Sequence, residues 1–598
     1  MFPRPDFFEG ALLNVAENLL FPGNAEVAAS ATAVITVTEA EGQRVSTTWA
    51  ELREAVRGCS AALRAAGLGP GDVVAGFVSN HVQALVAMLS AAALGAVWTG
   101  ISPDTGVSAV LDRLVQIEPK ALFADNGTLY NGKSWSSTGK TSQIVDELKP
   151  KGLALVIVVN NVQDVALGLD ELHSKGVAAK EYESFLQSGG NALLRFEQLP
   201  PSHPLYVLYS SGTTGLPKAI VHTALGTLIQ HKKEHILHCS MGPASRMLYY
   251  TTTSWMMWHW SISALACGTT LILYSGSPFQ PHGHLSLPKL LSALRVTHFG
   301  TSAAYLTALE TNGVYPARSL DLSPLQAIYS TASPLPPSTF SFVYEAFPPH
   351  VNLASITGGT DIISLFGAPC PLLPVHAGEI QCAGLGMAIA VVDPASGAPV
   401  PPGADGELVC TRPFPCQPLT FWGREGAARY RASYFERFAG VWHHGDFARV
   451  GARTGGLTML GRSDGVLKPA GVRFGSAEIY NLLTRFFAGE VDDAVCVGRR
   501  RDADRDEVVC LFVAMAGDKP FSPSLRDRIR EVIRRELSPR HVPGVIEECG
   551  AGIPKTSNGK KIEVAVKRIL SGIDVKTNTS VANPEALVWF REWAATHS

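Results

Sequence analysis

The first part of the chain alternates between helix and strand patterns, and this alternation strongly constrains the fold. Thr48-Trp-Ala-Glu51 has the spacing of a capping box, which predicts a helix that ends near Ala66. After a glycine-rich turn, an apolar strand at residues 73–78, an alanine- and leucine-rich helix to about Leu94 and a second strand at residues 96–98 follow. Strands joined through a helix are typical of a parallel sheet covered by helices. We therefore expect an α/β fold.

Later patterns divide the chain into a large and a small part. Between residues 375 and 413, short strands separated by proline and glycine predict a small antiparallel or barrel-like unit. After Asp464 a smaller α+β alternation begins, with helices at residues 476–487 and 523–536 and strands between them. We predict an N-terminal domain, residues 1–463, with two βα-layered sheets and the β unit. A small mobile domain would follow, residues 464–598, with its hinge near Asp464.

The composition excludes several classes of protein. Of the 598 residues, 46% are hydrophobic and 17% are charged, and the formal net charge is −2. This balance has no basic excess for binding nucleic acid or an anionic membrane surface. The best candidate for a membrane span, residues 85–100, falls short of the ~18 strongly apolar residues required. Ten cysteines without a Cys-x-x-Cys pair indicate reduced thiols, so we expect a cytoplasmic protein.

A loop rich in glycine and hydroxyl groups occupies residues 209–218, with the sequence Tyr-Ser-Ser-Gly-Thr-Thr-Gly-Leu-Pro-Lys. Its backbone N–H groups and hydroxyls can surround phosphate oxygens, and Lys218 adds a positive charge. It is not the common P-loop, because Pro217 precedes the lysine. Another candidate, Gly139-Lys-Thr141, has Ser134 where a P-loop needs its first glycine, and we expect a surface loop there.

Six further segments accompany this loop in a fixed order. Alone, each would be interpreted as a turn, a loop or a surface lysine. Together with the loop they resemble the adenylate-forming superfamily, which includes acyl-CoA synthetases, peptide-synthetase adenylation domains and luciferases. Within it, longer phrases resemble the acetoacetate–CoA ligases. The six segments are Ala332-Ser-Pro334, Ile356-Thr-Gly-Gly-Thr-Asp361, His444-Gly-Asp446, Gly461-Arg-Ser-Asp464, Lys468-Pro-Ala-Gly-Val-Arg-Phe-Gly-Ser-Ala-Glu-Ile479 and Ile553-Pro-Lys-Thr-Ser-Asn-Gly-Lys560.

The resemblance implies an ATP site. Thr360 would bind the α-phosphate, Asp361 would bind Mg²⁺, Asp446 would accept the ribose hydroxyls and Arg462 would contact ribose or phosphate. The family pattern has glutamate at position 361; aspartate is one methylene shorter and can hold Mg²⁺ directly or through water. The other nucleotide-binding residues implied are Ser210, Ser211, Gly212, Thr213, Thr214, Gly215, Lys218, Ala332, Ser333, Pro334 and Gly359.

The resemblance also assigns roles to the C-terminal part. Lys560 is the implied adenylation lysine, which stabilises the charge that develops as a carboxylate attacks phosphorus. Lys561 is adjacent, so that assignment rests on the spacing of the motif. Rotation about Asp464 would withdraw Lys560 from the site. It would bring in Gly471, which lies on the pantetheine path, and Arg473, which positions coenzyme A. ATP, Mg²⁺ and coenzyme A are the implied cofactors and substrates.

The identity of the acid depends on a few positions. The similar acetyl-CoA synthetases carry tryptophan at the position of Gly358, and its absence leaves room for a longer acyl chain such as acetoacetate. The other expected pocket residues are Trp255, Met256, Met257 and Thr331. His259 could bind a keto oxygen or be a core histidine, and we favour the core.

Three alternatives remain open from the sequence. The same chemistry could act on another short or branched acid in a secondary pathway. The acyl group could pass to a carrier-protein phosphopantetheine, although no carrier domain is visible. The chain could also be a non-catalytic nucleotide-binding paralogue, against which the retention of Lys560, Thr360, Asp446 and Arg462 argues. Nothing in the sequence indicates an oligomeric state.

Overall fold

The computed structural model describes residues 1–210, 216–465, 467, 474–501, 504, 507–537, 539–556, 559–575 and 581–597. Its α-helices are α1 (Val15–Leu20), α2 (Trp49–Ala65), α3 (Val82–Leu94), α4 (Val107–Ile117), α5 (Thr138–Leu148), α6 (Leu169–Ser174), α7 (Tyr182–Gln187), α8 (Ala224–Lys233), α9 (Met256–Ile262), α10 (Ser286–Ala293), α11 (Ala303–Thr311), α12 (Pro337–Ala346), α13 (Gly426–Tyr434), α14 (Ser476–Phe487), α15 (Pro523–Glu536), α16 (Glu563–Leu570) and α17 (Pro584–Thr596).

The strands follow the same chain order. They are β1 (Thr32–Thr38), β2 (Arg44–Thr48), β3 (Val73–Phe77), β4 (Val97–Ile101), β5 (Ala121–Asp125), β6 (Gly127–Tyr130), β7 (Lys133–Ser136), β8 (Leu155–Val159), β9 (Ala178–Glu181), β10 (Pro204–Ser210), β11 (Lys218–Thr223), β12 (Arg246–Tyr249), β13 (Thr270–Ser275), β14 (His298–Ser302), β15 (Ala327–Thr331), β16 (Asn352–Ser355), β17 (Thr357–Gly359), β18 (Ser364–Ala368), β19 (Cys382–Ala383), β20 (Ile389–Val392), β21 (Asp405–Cys410), β22 (Thr420–Phe421), β23 (Trp442–Val450), β24 (Leu457–Arg462), β25 (Val491–Arg499), β26 (Val508–Met515) and β27 (Val545–Glu548).

Two large, mainly parallel sheets dominate the N-terminal part. One has the order β22-β11-β10-β4-β3-β5-β8-β9, and the other has the order β16-β15-β14-β12-β13-β1-β2. Helix α3 is buried along residues 84–94 and shares one hydrophobic core with strands of both sheets. The α/β prediction with two βα-layered sheets is therefore confirmed. In the part of the chain that the structure describes, no helix combines the length and apolar character of a membrane span.

The helix predicted from the capping box begins where the sequence indicated. The Thr48 backbone N–H donates to Glu51 Oε2 at 2.8 Å, and the Glu51 N–H donates to Thr48 Oγ1 at 3.2 Å. These two bonds satisfy donors at the start of α2 that have no partner inside the helix. The predicted βαβ unit follows as β3, α3 and β4, in which β3 and β4 pair in parallel.

The smaller units also agree with the sequence patterns. Strands β20, β21, β23 and β24 form an antiparallel sheet beside the hairpin strands β17, β18 and β19. In the C-terminal part, β25, β26 and β27 form a sheet flanked by α14, α15 and α16. Helices α14 and α15 have the predicted bounds. The position of the domain boundary stays a prediction.

The prediction of a surface loop at residues 139–141 was wrong. These residues form the first turn of α5, which follows the β6–β7 hairpin. Thr141 is buried, and α5 inserts Ile144, Val145 and Leu148 into the core beneath β5 and β8. The polar composition of this segment hid an amphipathic helix whose apolar residues are confined to one face.

Candidate functional site

The base of the glycine-rich loop lies at the end of two paired strands. Ser210 ends β10 and Lys218 begins β11, and the two residues face each other in the antiparallel register. The loop residues predicted to surround phosphate, Ser211, Gly212, Thr213, Thr214 and Gly215, lie outside the described residues. The structure therefore fixes the two ends of the loop and the direction from which Lys218 enters the site.

The segment predicted to lie along adenine follows β15 at its carboxyl end. Thr331 ends the strand and is half-buried, whereas Ala332, Ser333 and Pro334 are exposed. Ala332 has a φ of 76°, in the left-handed region that an alanine rarely adopts. Such strained backbone persists only where the surrounding structure imposes it. The segment is thus held in a defined shape at the exposed carboxyl end of β15, where a flat ring could lie.

Asp361 lies at the centre of a charged cluster. The Tyr434 hydroxyl donates a hydrogen bond to Asp361 Oδ1. Burial raises the pKa of Asp361, but Lys218, then His444, the Tyr434 hydroxyl and Arg462 together hold it below its usual value. The carboxylate is therefore charged, and basic side chains lie around it.

Asp446 and Arg462 form the next part of this cluster. They are paired residues of β23 and β24, and Arg462 Nη1 lies 2.8 Å from Asp446 Oδ1. His444 Nε2 lies 3.5 Å from Asp446 Oδ2 and donates to the Gly358 carbonyl at 3.2 Å. An ideal Cβ on Gly359 would lie 3.7 Å from His444 Nε2, so this glycine faces the same group. Three separate motifs of the sequence therefore meet in one place.

The predicted acyl-pocket residues divide into two groups. Trp255, Thr331 and Gly358 are half-buried, whereas Met256 and Met257 are 4% and 2% exposed and pack into the core. Only the first group thus keeps accessible surface. In the sequence, the alternation of these side chains around α9 was hidden by a continuous run of apolar residues.

Gly358 has a role that the sequence comparison did not indicate. A Cβ at this position would lie 1.9 Å from the Ser364 carbonyl oxygen, across the β17–β18 hairpin. Glycine is needed here because the two backbones approach too closely for any side chain. The difference from tryptophan-bearing synthetases therefore involves the path of this hairpin as well as the volume of one side chain.

Replacing Gly358 with alanine is expected to lower the free energy of unfolding by about 1–3 kcal/mol, because the hairpin must open to admit the methyl group. Urea denaturation followed by tryptophan fluorescence measures this change. Gly359→Ala is the matched control, since its Cβ would meet no heavy atom closer than 3.7 Å. Equal midpoints for the two variants would contradict the steric explanation.

His259 is a core histidine. Its residue is 0% exposed, its Nδ1 lies 3.4 Å from the Trp255 carbonyl oxygen, and its ring meets Tyr206 edge-on at 4.6 Å. Burial lowers the pKa of His259 to about 3, so the ring is neutral. Ser254 accepts a hydrogen bond from the Ser102 backbone at 2.6 Å. The side chains of His259 and Ser254 therefore both make contacts inside the protein.

The two adjacent lysines of the C-terminal motif have different surroundings. Lys561 Nζ lies 2.7 Å from Asp493 Oδ1, donates to the Ala494 carbonyl at 2.6 Å and lies 3.8 Å from the centre of the Tyr480 ring. Lys560 is exposed, and its backbone N–H donates to Thr556 Oγ1. Lys561 thus holds α14 and β25 together, which leaves Lys560 as the lysine that presents its side chain at the surface.

The structure describes only some of the remaining residues that were predicted to act in the C-terminal part. Asp464 lies in a short 3₁₀ turn, Ser463–Gly465, directly after β24. Ser463 donates a hydrogen bond to the Glu407 carboxylate of β21, so the turn is attached to the N-terminal sheet. Gly471 and Arg473 lie outside the described residues. The chain therefore leaves a rigid strand at the position of the predicted hinge.

A magnesium site made of protein groups alone is absent from the described part of the chain, where no cluster of three or more His, Cys, Asp or Glu side chains could hold a metal ion. Mg²⁺ commonly uses one or two carboxylates together with substrate phosphates and water. A single charged carboxylate at Asp361, beside the loop predicted to hold phosphate, fits that mode of binding.

Known proteins are similar to this chain over nearly its full length. The AMP-binding enzyme family matches residues 21–416, and the AMP-binding enzyme C-terminal domain matches residues 488–560. The chain belongs to the AMP-binding enzyme family. Together with the similarity to acetoacetyl-CoA synthetases, this match shows that the chain is an AMP-forming acid–CoA ligase.

Individual relatives of this family member differ in the acid that their names specify. The chain is 50% identical to malonamoyl-CoA synthetase vrtB of Penicillium aethiopicum, covering 99% of this chain and 83% of the relative. It is 45% identical to acetoacetyl-CoA synthetase of Mus musculus, covering 98% and 86%. The structure of acetoacetyl-CoA synthetase from Streptomyces lividans superposes with a TM-score of 0.90 at 40% identity, covering 100% of this chain and 88% of the other.

One functional residue had no signal in the sequence. Tyr434 contacts Asp361, yet it belongs to none of the motifs and lies in α13, a helix without a recognisable pattern. Its position depends on packing between α13 and β23, which no local spacing indicates.

Proposed function

We propose that this family member joins a short acid with a carbonyl at its third carbon to coenzyme A, and that acetoacetate is the first candidate. The convergence of Asp361, Asp446, Arg462 and Lys218 in one cluster is the observation that carries the proposal. The identity to acetoacetyl-CoA synthetases supports the choice of acid.

Malonamate is a second candidate, favoured by the 50% identity to malonamoyl-CoA synthetase vrtB. It has a primary amide where acetoacetate has a methyl ketone, so the two acids have the same number of heavy atoms and nearly the same shape. A pocket that fits one by size also fits the other, and the choice between them depends on polar contacts at the far end of the acid.

In the first step a carboxylate oxygen attacks the α-phosphorus of ATP, and pyrophosphate leaves. Lys218, the Thr360 hydroxyl and Lys560 stabilise the charge on the phosphate oxygens, which is the main task in phosphoryl chemistry. Asp446 accepts hydrogen bonds from the ribose hydroxyls, and Arg462 contacts the ribose or the phosphate of the nucleotide. Mg²⁺, held by Asp361 and phosphate oxygens, would offset negative charge when bound.

In the second step the coenzyme A thiolate attacks the acyl carbonyl carbon, and AMP leaves with the electron pair of the broken bond. Rotation about Asp464 withdraws Lys560 and brings Gly471 and Arg473 towards the coenzyme, as in the family to which the sequence is similar. ATP and coenzyme A are thus both substrates.

The test is pyrophosphate release by the purified protein with MgATP and coenzyme A. Acetoacetate, malonamate, acetate, butyrate, 3-hydroxybutyrate and isobutyrate are compared. The proposal expects the two 3-carbonyl acids to exceed butyrate in kcat/KM by about tenfold or more, the scale of one well-placed polar contact.

The outcomes of this experiment separate the alternatives. A preference for isobutyrate or butyrate would keep the ligase chemistry and remove the 3-carbonyl assignment. The absence of pyrophosphate release with every acid tested would favour a non-catalytic nucleotide-binding paralogue. Product that forms only with a phosphopantetheinyl carrier protein would favour transfer to a carrier.

A further inference from the structure

We infer that Tyr434 is a positioning residue for the cation site. Its hydroxyl occupies Asp361 Oδ1 and leaves Asp361 Oδ2 as the oxygen offered to a divalent metal. The inference rests on the proposed function, because that function assigns the cation to Asp361. Nothing in the sequence motifs or in the similarity to other proteins assigns a role to Tyr434.

The Tyr434 ring is fixed in place. It is 3% exposed and stacks on Trp442 with 3.9 Å between ring centroids and an interplanar angle of 11°. Phe421 and Tyr430 contact the same ring edge-on at 5.8 Å and 5.4 Å. Because aromatic neighbours hold the ring on several sides, its hydroxyl cannot turn away from Asp361 without repacking α13.

The Tyr434 hydroxyl donates this hydrogen bond, because the carboxylate oxygen accepts. Burial, followed by the charge of Asp361, raises the pKa of Tyr434 well above its usual value. The Lys218 amine lies 5.3 Å from the centre of the Tyr434 ring, so the phenol also connects the carboxylate to the lysine at the base of the loop. The hydrogen bond from the Tyr434 hydroxyl to Asp361 Oδ1 thus has a defined direction.

The second carboxylate oxygen of Asp361 lies near Gly359. An ideal Cβ on Gly359 would lie 3.9 Å from Asp361 Oδ2 and 3.7 Å from His444 Nε2, so Oδ2 borders the space next to Gly359. Gly359 and Thr360 are half-buried. A cation that binds there approaches one oxygen in a single orientation. Aspartate has a shorter side chain than the glutamate of the family pattern. A carboxylate that is already fixed compensates for the shorter reach, because it loses less conformational entropy when the cation binds.

The direct test measures Mn²⁺ binding by the full-length protein in the presence of α,β-methylene-ATP, with free Mn²⁺ followed by electron paramagnetic resonance. Tyr434→Phe keeps the ring and its stacking and removes only the hydroxyl. We expect the dissociation constant for Mn²⁺ to rise about tenfold, the scale of one hydrogen bond to a charged group. In the Asp361→Asn background the same substitution is expected to have no further effect.

Tyr430→Phe is the matched control. Tyr430 lies on the same helix and in the same aromatic cluster, but its hydroxyl accepts from Gln417 Nε2 at 3.1 Å, on another side of the cluster from Asp361. It is expected to leave the Mn²⁺ constant unchanged. A Tyr434→Phe protein with unchanged Mn²⁺ affinity, or with a loss that persists in the Asp361→Asn background, would overturn the inference.

This test is separate from the proposed function. Mn²⁺ and nucleotide binding require no acid and no turnover, so they can be compared even if no acid supports pyrophosphate release. That result would remove the proposed reaction and leave the positioning of Asp361 by Tyr434 to be judged by the binding constants alone.

Discussion

Replacing Lys560 with alanine is expected to slow formation of the acyl-adenylate by about 10²–10³-fold, because a cation is removed from the charge that develops at the α-phosphate. The thioester step, started from preformed acyl-AMP and coenzyme A, is expected to stay near the wild-type rate, because the lysine has then been withdrawn. Pyrophosphate release measures the first half-reaction, and AMP release from synthetic acyl-AMP measures the second.

Lys561→Ala distinguishes the two neighbouring lysines. The Lys561 amine is engaged with Asp493 and the Tyr480 ring, so its loss is expected to lower stability and to leave adenylation within a few fold of the wild type. Asp493 keeps a second partner in Lys555 at 2.5 Å, which limits the damage. Equal losses in both half-reactions of Lys560→Ala, or a larger adenylation loss in Lys561→Ala, would contradict the assignment.

Lowering the pH from 7 to 5 is expected to destabilise the protein by several kcal/mol. His222, His235 and His259 are buried, and burial lowers the pKa of each to about 3. In the unfolded chain each takes up a proton near pH 6.5, whereas the folded protein keeps it neutral. The contribution of these neutral histidines to stability is therefore fully present above about pH 6.5. Below that pH the free energy of unfolding falls by about 1.4 kcal/mol per pH unit for each histidine, or by about 4 kcal/mol per pH unit for all three.

The measurement is the urea midpoint and slope at pH values between 7.5 and 5. His259→Asn is expected to remove about 1.4 kcal/mol per pH unit of the pH dependence, since one such group is lost. His350→Asn, at an exposed position, serves as the control for the loss of a histidine. A stability that stays level from pH 7 to pH 5 would show that these rings are protonated in the folded protein.

Much of the fold could be predicted because its signals are local. The capping box at the start of α2 and the apolar runs of β3, β4 and β26 each depend on a few adjacent residues. The site motifs were identified through their resemblance to a known family, which was possible because each keeps its side chains close in sequence. Their meeting in one cluster depends on antiparallel pairing between strands, since Asp446 and Arg462 face each other across β23 and β24 and Lys218 begins β11.

The rest depends on contacts between distant segments. Gly358 faces the Ser364 carbonyl because two strands of a hairpin approach closely, which a comparison of side-chain sizes does not reveal. Tyr434 reaches Asp361 through a stack on Trp442, in which the packing of α13 decides the outcome. The helix α5 was missed because few apolar residues suffice to fill its side of the core.

The position of Arg462 relative to Asp464 has a mechanical consequence. Arg462 is fixed by its strand pairing and its ion pair with Asp446, and the proposed pivot is two residues further along the chain. A rotation about Asp464 displaces the residues at the ribose very little, because they lie close to the pivot. The small domain can therefore turn through a large angle while the nucleotide stays still. The reactive mixed anhydride thus need not leave its binding site between the two reactions, which protects it from water.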